Sequence, residues 1–198
     1  CSSDLNFIKS VVCITSDKCY ESNFSTKGFR ENDKLGGVDP YSGSKASAEI
    51  IIKTYNESFF KKTNCGLASA RAGNVIGGGD WSEKRIIPDA IKAWSKKEIL
   101  EIRNPNATRP WQHVLEPLSG YIQYAKQLSS NYSLHGEAFN FGPSSEQNFS
   151  VVKLIDEMSK HWENVNWQYK DEKNKDKFYE AGLLRSEEHT SELQSPMY

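Results

Sequence analysis

The sequence predicts an α/β fold built on a parallel β-sheet. Two largely apolar runs, Val11–Thr15 and Gly66–Ala72, lack the polar alternation of a half-exposed strand. Such runs are typical of strands that are buried on both faces of a parallel sheet. Segments with helical periodicity follow each run, and this alternation of strands and helices favours α/β architecture.

The first helix is predicted to run from Pro40 to about Phe59. Asp39 can cap it, because an aspartate oxygen accepts from the free N–H groups of the first turn, and proline suits the first helical position. The helix should end near Lys61, where positive charge complements the helix dipole. Residues 20–39 are polar and glycine-rich without a period, and they are predicted to form a loop.

The rest of the chain continues the alternation. Residues 73–80 are predicted to be a loop, and apolar residues at i, i+3, i+4 and i+7 predict a helix over 117–130. The other predicted elements are a helical face formed by Ile87, Ile91 and Trp94, strands at 99–102 and 138–141, and a last helix after Ser150.

The composition argues against several classes of partner. The 198 residues are enough for one core of ordinary size. A net charge of −1, from 25 basic and 26 acidic residues, gives no reason to expect a nucleic-acid or anionic membrane surface. No apolar run approaches the roughly 20 residues that span a bilayer, and no secretory leader is recognisable. We therefore expect a cytoplasmic protein without a nucleic-acid or membrane partner.

The four cysteines, Cys1, Cys13, Cys19 and Cys65, form no Cys-x-x-Cys pair, and no histidine lies at metal-ligand spacing beside them. This pattern predicts reduced thiols of a cytoplasmic protein and no metal site. Cys13 is expected to be a core residue of the first strand.

The densest set of chemically useful side chains follows the first strand. Ser16, Asp17 and Lys18 place a hydroxyl, an acid and an amine directly after it. Tyr41 and Lys45 are one helical turn apart, so the ammonium can stabilise a tyrosinate. Ligands of open α/β sheets bind beyond the carboxyl ends of the strands, so these side chains are predicted to face one cleft.

Each of these features also has a simpler explanation. Ser16 can merely end a strand, since serine is common in turns. Asp17 and Lys18 can be a solvated charge pair. Tyr41 and Lys45 can be a surface pair worth roughly a few tenths of a kcal/mol. The surrounding sequence favours the chemical interpretation in each case.

That surrounding sequence resembles a known family. A Tyr-x-x-x-Lys motif after a strand that ends in Ser16 resembles the extended short-chain dehydrogenase/reductase family, and Asp17-Lys18 is similar to its sugar-nucleotide 4,6-dehydratase branch. Three stretches, residues 15–20, 69–81 and 103–120, resemble members of that branch that act on CDP-glucose. The resemblance runs from about Val11 to Trp162.

The resemblance implies a two-part organisation. Residues 1–80 are expected to form the second half of a Rossmann-like NAD-binding domain, with the C-terminal part of its parallel sheet. Residues 81–184 are expected to form most of a smaller mixed α/β substrate domain with returning Rossmann elements. The family's Gly-rich dinucleotide turn has no counterpart here, because Gly77–Gly79 lacks the GxGxxG spacing. We therefore expect the chain to be a fragment of a longer enzyme.

Residues 185–198 are expected to lie outside the natural protein. The eleven residues from Arg185 to Ser195 resemble an in-frame translation of a short-read sequencing adapter. A polar, solvated tail is the alternative explanation.

The resemblance also implies a reaction. Transient NAD-dependent oxidation at C4 of the sugar, loss of water across C5–C6 and return of hydride to C6 would give a 4-keto-6-deoxy sugar. Tyr41 would take the C4 hydroxyl proton beside Ser16, and Lys45 would stabilise the tyrosinate and hydrogen-bond the nicotinamide ribose. Asp17 would protonate the departing C6 hydroxyl. Lys18 is open between two roles, a neutral base for the C5 proton and a charged stabiliser of the enolate.

Binding residues follow from the same resemblance. Asn74, Arg85 and Arg109 would hold the nucleotide diphosphate, since guanidinium groups pair well with phosphate. For Arg85, a solvated surface position is the alternative explanation. His113 is expected to be structural, and Trp81, Trp94 and Trp111 are expected in the core or in a cleft wall. The cofactor contacts would come from Tyr41, Lys45, Ala72 and Val75.

A dehydratase of this family would bind a nucleotide sugar and form a homodimer at full length. Two other functions are possible for this sequence. One is a sugar-nucleotide epimerase of the same fold, against which Asp17-Lys18 argues because inversion at C4 needs no acid at C6. The other is an inert fragment, since a chain without the Gly-rich turn has no cradle for the dinucleotide phosphates.

Overall fold

A computed structural model describes residues 7–21, 28–143 and 149–170. A three-stranded parallel sheet organises the site region, with the strand order β1 (Ser10–Ile14), β2 (Gly66–Ala72), β7 (Ala138–Phe141). The predicted α/β class with a parallel sheet is confirmed.

The sheet is not equally buried along its width. β2 lies between two strands and is buried from Gly66 to Arg71, as predicted. β1 is half-buried and Ile14 is 49% exposed, so the prediction of burial on both faces is wrong for this strand. The reason is its position, because β1 pairs on one side only within the described residues. Cys13 is accordingly half-buried rather than a core residue.

Helix α1 (Pro40–Tyr55) connects β1 to β2 and starts where the sequence predicts. Asp39 caps it by accepting from the backbone N–H groups of Tyr41, at 2.8 Å, and Ser42, at 3.1 Å. In return, the Ser42 hydroxyl oxygen accepts a hydrogen bond from the Asp39 N–H, which completes a capping box. A π-helical turn, Asn56–Phe60, continues α1.

Helix α3 (Leu115–Leu128) packs against β1 and β2. It begins two residues before the predicted range, because the Leu115 N–H donates to His113 Nδ1 and starts the turn early. Gly120 permits close packing, since a Cβ there would lie 2.4 Å from Phe141 Cε1. The apolar core on this face consists of Ala68, Ala70, Tyr124, Leu128 and Phe141.

A second cluster packs around α2 (Ile86–Ser95) and α4 (Val151–Ser159). It includes β4 (Leu100–Ile102), which pairs in parallel with β9 (Trp167–Tyr169). Its buried core consists of Ala90, Trp94, Leu100, Ile102 and Ile155. The boundaries predicted at residues 80 and 184 stay predictions.

Several short strands were not predicted. β3 (Val75–Ile76), placed in a loop by the sequence, pairs in parallel with β6 (Gln112–His113). β5 (Thr108–Arg109) pairs antiparallel with β8 (Phe149–Ser150). Such two-residue strands form through distant partners, which leave no local period in the sequence.

The described residues hold no helix long and apolar enough to cross a bilayer. Among the same residues, no group of three acidic, histidine or cysteine side chains is arranged to hold a metal ion. The described cysteines, Cys13, Cys19 and Cys65, are free thiols. Cys1 and the adapter-like segment 185–198 lie outside the described residues.

Candidate active site

The turn after β1 separates an acid from an amine. Asp17–Cys19 forms a 3-10 turn that Ser16 caps, with Ser16 Oγ accepting from the Lys18 N–H at 3.2 Å. The Ser16 hydroxyl also donates to Asp17 Oδ1 at 3.2 Å. Ser16 and Asp17 are buried, whereas Lys18 is exposed. The turn therefore points the carboxyl group inward and the ammonium outward.

Asp17 lies in a dry environment. It is 3% exposed, and burial raises its pKa to about 6, even though Lys18 and the Ser16 hydroxyl each lower it. Oδ2 has no hydrogen-bond partner within the described residues. A carboxyl group in this state is partly protonated near neutral pH, which is what a proton donor needs.

Small and rigid residues close around that carboxyl group. A Cβ at Gly73 would lie 3.0 Å from Asp17 Oδ2 and 2.8 Å from Pro110 Cγ, so glycine is required for this close approach. Arg109, which is buried beside Pro110, lowers the pKa of Asp17 through its charge. The ends of β1 and β2 thus converge with the 109–110 segment on one acid.

Two lysine ammonium groups lie near the ring of Tyr41. Lys45 Nζ lies 5.7 Å from the centroid of the Tyr41 ring, and Lys18 Nζ lies 5.7 Å from the same centroid. Lys45 comes from the same helix, whereas Lys18 comes from the turn after β1. Tyr41 is 51% exposed, so a ligand can reach part of its side chain. The structure thus brings both predicted catalytic segments together.

The predicted diphosphate ligands are spread more widely. Asn74 is half-buried after β2, and its carbonyl accepts from the Gln112 N–H at 3.1 Å. Arg109 is buried, and its Nη1 donates to the Thr108 carbonyl at 2.8 Å. Arg85 is exposed at the residue before α2. Arg109 therefore belongs with Asp17, and Arg85 lies on the surface.

The residues predicted to contact a cofactor fit the nicotinamide end of NAD. The Tyr41 hydroxyl and the Lys45 ammonium are suitable partners for a ribose. Ala72 is small and half-buried at the end of β2, and Val75 is 47% exposed in β3, so both offer apolar surface for a ring. The orphaned Oδ2 of Asp17 lies at the same end of the sheet.

Sequence reasoning missed a buried ion pair beneath this site. Arg71 Nη2 donates to Glu49 Oε2 at 2.7 Å, and the Ser69 hydroxyl donates to the same oxygen at 2.7 Å. The Thr15 hydroxyl donates to the other carboxylate oxygen of Glu49. An arginine within a buried strand requires an acidic partner. The presence of Arg71 in the apolar run could therefore have predicted a buried ion pair.

Burial and hydrogen bonding compete at Glu49. Burial raises its pKa, but the hydrogen bond and the charge of Arg71 lower it. The two hydroxyl donors add to the lowering, so the pKa ends below its ordinary value. Glu49 is therefore a carboxylate at neutral pH, whereas a fraction of Asp17 keeps its proton there.

The ion pair extends into a network around the loop before α1. Arg71 Nη1 donates to Tyr20 Oη at 2.8 Å and to the Glu31 carbonyl at 3.0 Å. The Tyr20 hydroxyl donates to Asn140 Oδ1 at 2.6 Å, and its ring stacks on Phe29 at 4.9 Å. The loop is thereby fixed to β2 and β7.

The chain is similar in sequence to known nucleotide-sugar dehydratases. The family model described as GDP-mannose 4,6 dehydratase matches residues 5–195. A CDP-glucose 4,6-dehydratase of Salmonella typhimurium is 48% identical over 166 residues, which cover 81% of this chain and 46% of the relative. A dTDP-D-glucose 4,6-dehydratase of Homo sapiens is 23% identical over 81% of this chain and 44% of its own length.

Solved structures share the fold. A UDP-N-acetylglucosamine 4-epimerase from Methanobrevibacter ruminantium has a TM-score of 0.71 at 21% identity, over 92% of this chain and 54% of its own. A dTDP-glucose 4,6-dehydratase from Bacillus anthracis in complex with NAD has a TM-score of 0.67 at 20% identity, over 94% and 56%.

These relatives and solved structures are longer than this chain. The chain spans about half the length of the curated relatives it matches. The predicted resemblance to sugar-nucleotide dehydratases is confirmed by the Salmonella relative and by the family model. The chain belongs to the GDP-mannose 4,6 dehydratase family.

Proposed function

We propose that the full-length protein carrying this sequence is a sugar-nucleotide 4,6-dehydratase that converts CDP-glucose to its 4-keto-6-deoxy product. The observation that carries the proposal is the buried carboxyl group of Asp17, in a turn that packs against the helix bearing the Tyr41–Lys45 pair. Removal of the C6 hydroxyl needs an acid, whereas plain inversion at C4 does not. The relative named CDP-glucose 4,6-dehydratase supports the choice of substrate.

The proposed cofactor is NAD. Tyr41 and Lys45 would hold its ribose, with Ala72 and Val75 against the nicotinamide ring. When bound, NAD would supply a hydride acceptor at C4 and later a hydride donor at C6. The NAD found in the related Bacillus anthracis structure supports this assignment.

Tyr41 is proposed as the base of the first step. Its hydroxyl, once ionised, takes the proton of the C4 hydroxyl, and Lys45 stabilises the tyrosinate. Ser16 lies at the end of β1, where its hydroxyl is proposed to orient the same C4 oxygen.

Asp17 is proposed as the acid of the second step. Its carboxyl proton passes to the C6 hydroxyl, which leaves as water, and the carboxylate that forms is stabilised by Lys18 and Arg109. Lys18 lies at the same place, with its Nζ 5.7 Å from the centroid of the Tyr41 ring. We propose that its amine takes the C5 proton as the base of this step, and that the ammonium that forms then stabilises the enolate.

Asn74, Arg85 and Arg109 are proposed to bind the nucleotide diphosphate. Of the three, Arg109 is the one whose charge reaches the candidate site, because it lowers the pKa of Asp17. Arg85, exposed before α2, would have to meet the diphosphate at the mouth of the site.

The full-length protein is proposed to form a homodimer. Three large apolar side chains on one edge of α1 and its continuation, Ile51, Tyr55 and Phe59, are 52–62% exposed at i, i+4 and i+8. A second copy would cover them. Light scattering of the full-length protein and of a Phe59→Glu variant tests this, and a wild-type monomer would contradict it.

The substrate is tested by incubating the full-length protein with CDP-, dTDP-, UDP- and GDP-glucose and measuring the 4-keto product by its chromophore in base. We expect conversion of CDP-glucose without added reductant. Conversion of dTDP-glucose alone would overturn the substrate assignment. Inversion at C4 without loss of water would overturn the reaction class and favour an epimerase.

A further inference from the structure

We propose that Glu49 is a positioning residue. It fixes the position of α1 along its axis relative to the Ser16–Asp17 turn, and so also fixes the positions of Tyr41 and Lys45. Glu49 touches neither the proposed substrate nor the cofactor. This inference rests on the proposed function for its catalytic consequence, but the contacts that carry it do not depend on any substrate.

The sequence spacing places Glu49 in line with the reactive residues. It follows Tyr41 by eight residues and Lys45 by four, so all three lie along one face of α1. Movement of Glu49 along the helix axis therefore moves the two reactive side chains by the same amount.

Within one subunit, apolar packing does little to fix α1. Its buried side chains are Ser42, Ala46 and Glu49, of which two are small and one is charged. Ile50 and Ile51, which could have anchored the helix, are 57% and 55% exposed. The directional contacts of Glu49 therefore have the largest influence on where the helix sits.

Those contacts reach two strands at the level of the site. One carboxylate oxygen accepts from the Thr15 hydroxyl, and Thr15 directly precedes the Ser16 cap. The other oxygen accepts from Ser69 and Arg71 of β2, each at 2.7 Å. A single carboxylate thus joins α1 to the end of β1 and to the middle of the sheet.

The other end of the turn is held by the same ion pair. Arg71 Nη1 donates to Tyr20 Oη at 2.8 Å, and Tyr20 directly follows the Asp17–Cys19 turn. Thr15 and Tyr20 flank the turn, so Glu49 and Arg71 together fix both of its ends. The separation between Asp17 on the turn and Tyr41 on α1 is then set by one buried pair.

A role in stability alone makes a different prediction. Buried ion pairs often add little net stability, so their presence does not by itself show what they do. A matched control is Tyr124→Phe, which removes a 3.0 Å hydrogen bond from Tyr124 Oη to the Glu137 carbonyl on the α3 side of the sheet. If Glu49 only stabilises the fold, both changes should act alike.

The test uses the full-length protein with Glu49→Gln, Thr15→Val and Tyr124→Phe. We expect Glu49→Gln to lower kcat for CDP-glucose at least about tenfold while KM stays within about twofold, because misplaced groups slow the chemistry more than binding. Thr15→Val, which keeps the ion pair, should lower kcat in the same direction by less. Tyr124→Phe should lower Tm and leave the kcat of the folded protein unchanged.

A second readout needs no substrate. Cys19 is fully buried between Lys18 and Tyr20, and burial raises the pKa of its thiol to about 12, so it should resist alkylation in the intact protein. Labelling with iodoacetamide, read by peptide mass spectrometry, should become faster at Cys19 in Glu49→Gln but not in Tyr124→Phe. Amide exchange along α1 should rise in the same variant.

Each outcome decides the proposal. A folded Glu49→Gln protein with wild-type kcat and a protected Cys19 would overturn it, as would losses of activity that track Tm equally in Glu49→Gln and Tyr124→Phe. If Glu49→Gln does not fold, a wild-type kcat for Thr15→Val overturns it. If the wild type converts no nucleotide sugar, the proposed function fails, and Cys19 labelling still decides whether Glu49 braces the turn.

Discussion

The two faces of β2 are held in different ways. On one face, Ala68 and Ala70 pack against the apolar side chains of α3. On the other face, Ser69 and Arg71 hydrogen-bond to Glu49 of α1. Because side chains alternate across a strand, consecutive residues of β2 serve the two faces in turn. Apolar contacts allow small displacements, whereas hydrogen bonds require a fixed geometry. The candidate active site lies on the face that is held by hydrogen bonds.

If the two faces differ in this way, substitutions on the α1 face should lower turnover, and substitutions on the α3 face should lower the free energy of unfolding. Tyr41→Phe should have the largest effect, with a loss of turnover of about 10²–10⁴-fold, because no group remains to take the C4 proton. Steady-state turnover of CDP-glucose measures it, and Tm should be unchanged because Tyr41 is half-exposed.

The control for that change is Tyr55→Phe, an exposed tyrosine on the same helix. It should retain wild-type turnover. Equal losses in both variants would mean that α1 tolerates no change of tyrosine, and the assignment of Tyr41 as base would be wrong.

The next largest effect is expected from Asp17→Asn. This change should slow product formation roughly a hundredfold while leaving the first oxidation intact, because the amide cannot protonate the C6 hydroxyl. Reduced nicotinamide should therefore accumulate on the protein and can be followed by its absorbance. Asp156→Asn, at an exposed acid on α4, is the control. Product formation within about threefold of wild type would contradict the acid role of Asp17.

The α3 face is tested by Leu128→Ala. Leu128 is fully buried, so the cavity should lower the free energy of unfolding by about 2–5 kcal/mol. Denaturant unfolding measures this, and the kcat of the folded fraction should match the wild type. A loss of kcat without a loss of stability would break the division between the two faces.

The smallest effect concerns pH and separates the two buried acids. The raised pKa of Asp17, about 6, means that the folded state holds a proton that the unfolded state has released between about pH 4 and 6. Stability should therefore fall as pH rises through that window, and Asp17→Asn should remove this slope.

Glu49 should show the opposite sign. Its lowered pKa contributes stability that is present above its unfolded value, near 4.5, and is lost as pH falls below it. Unfolding curves of Glu49→Gln and the wild type, measured below pH 4.5, test the Glu49 statement, and curves of Asp17→Asn and the wild type from pH 4 to 8 test the Asp17 statement. A flat difference between the two proteins would contradict the dry environment assigned to Asp17.

Much of the fold followed from local sequence signals. The Asp39-Pro40 start of α1 and the apolar run of β2 were predicted because capping and burial are written in neighbouring residues. The Ser16–Asp17–Lys18 turn and the Tyr41–Lys45 pair were also predicted, since each lies within one short segment. The family resemblance supplied their roles.

The rest depends on contacts between distant residues. Strand β9 pairs in parallel with β4, with Trp167 opposite Leu100, and no local sequence pattern indicates that pairing. The Glu49–Arg71 pair joins a helix to a strand, and sequence reasoning treated each residue separately. Burial of β1 was overestimated because an apolar run does not reveal how many neighbouring strands cover it.

Gly73 has a consequence for protein engineering. It leaves the room at Asp17 Oδ2 that even one methyl group would occupy, since a Cβ would stand 3.0 Å from that oxygen. A larger residue here would force Asp17 or Pro110 to move, because the Cβ would also lie 2.8 Å from Pro110 Cγ. Any redesign of substrate preference should therefore keep glycine at residue 73 and vary other positions around the acid.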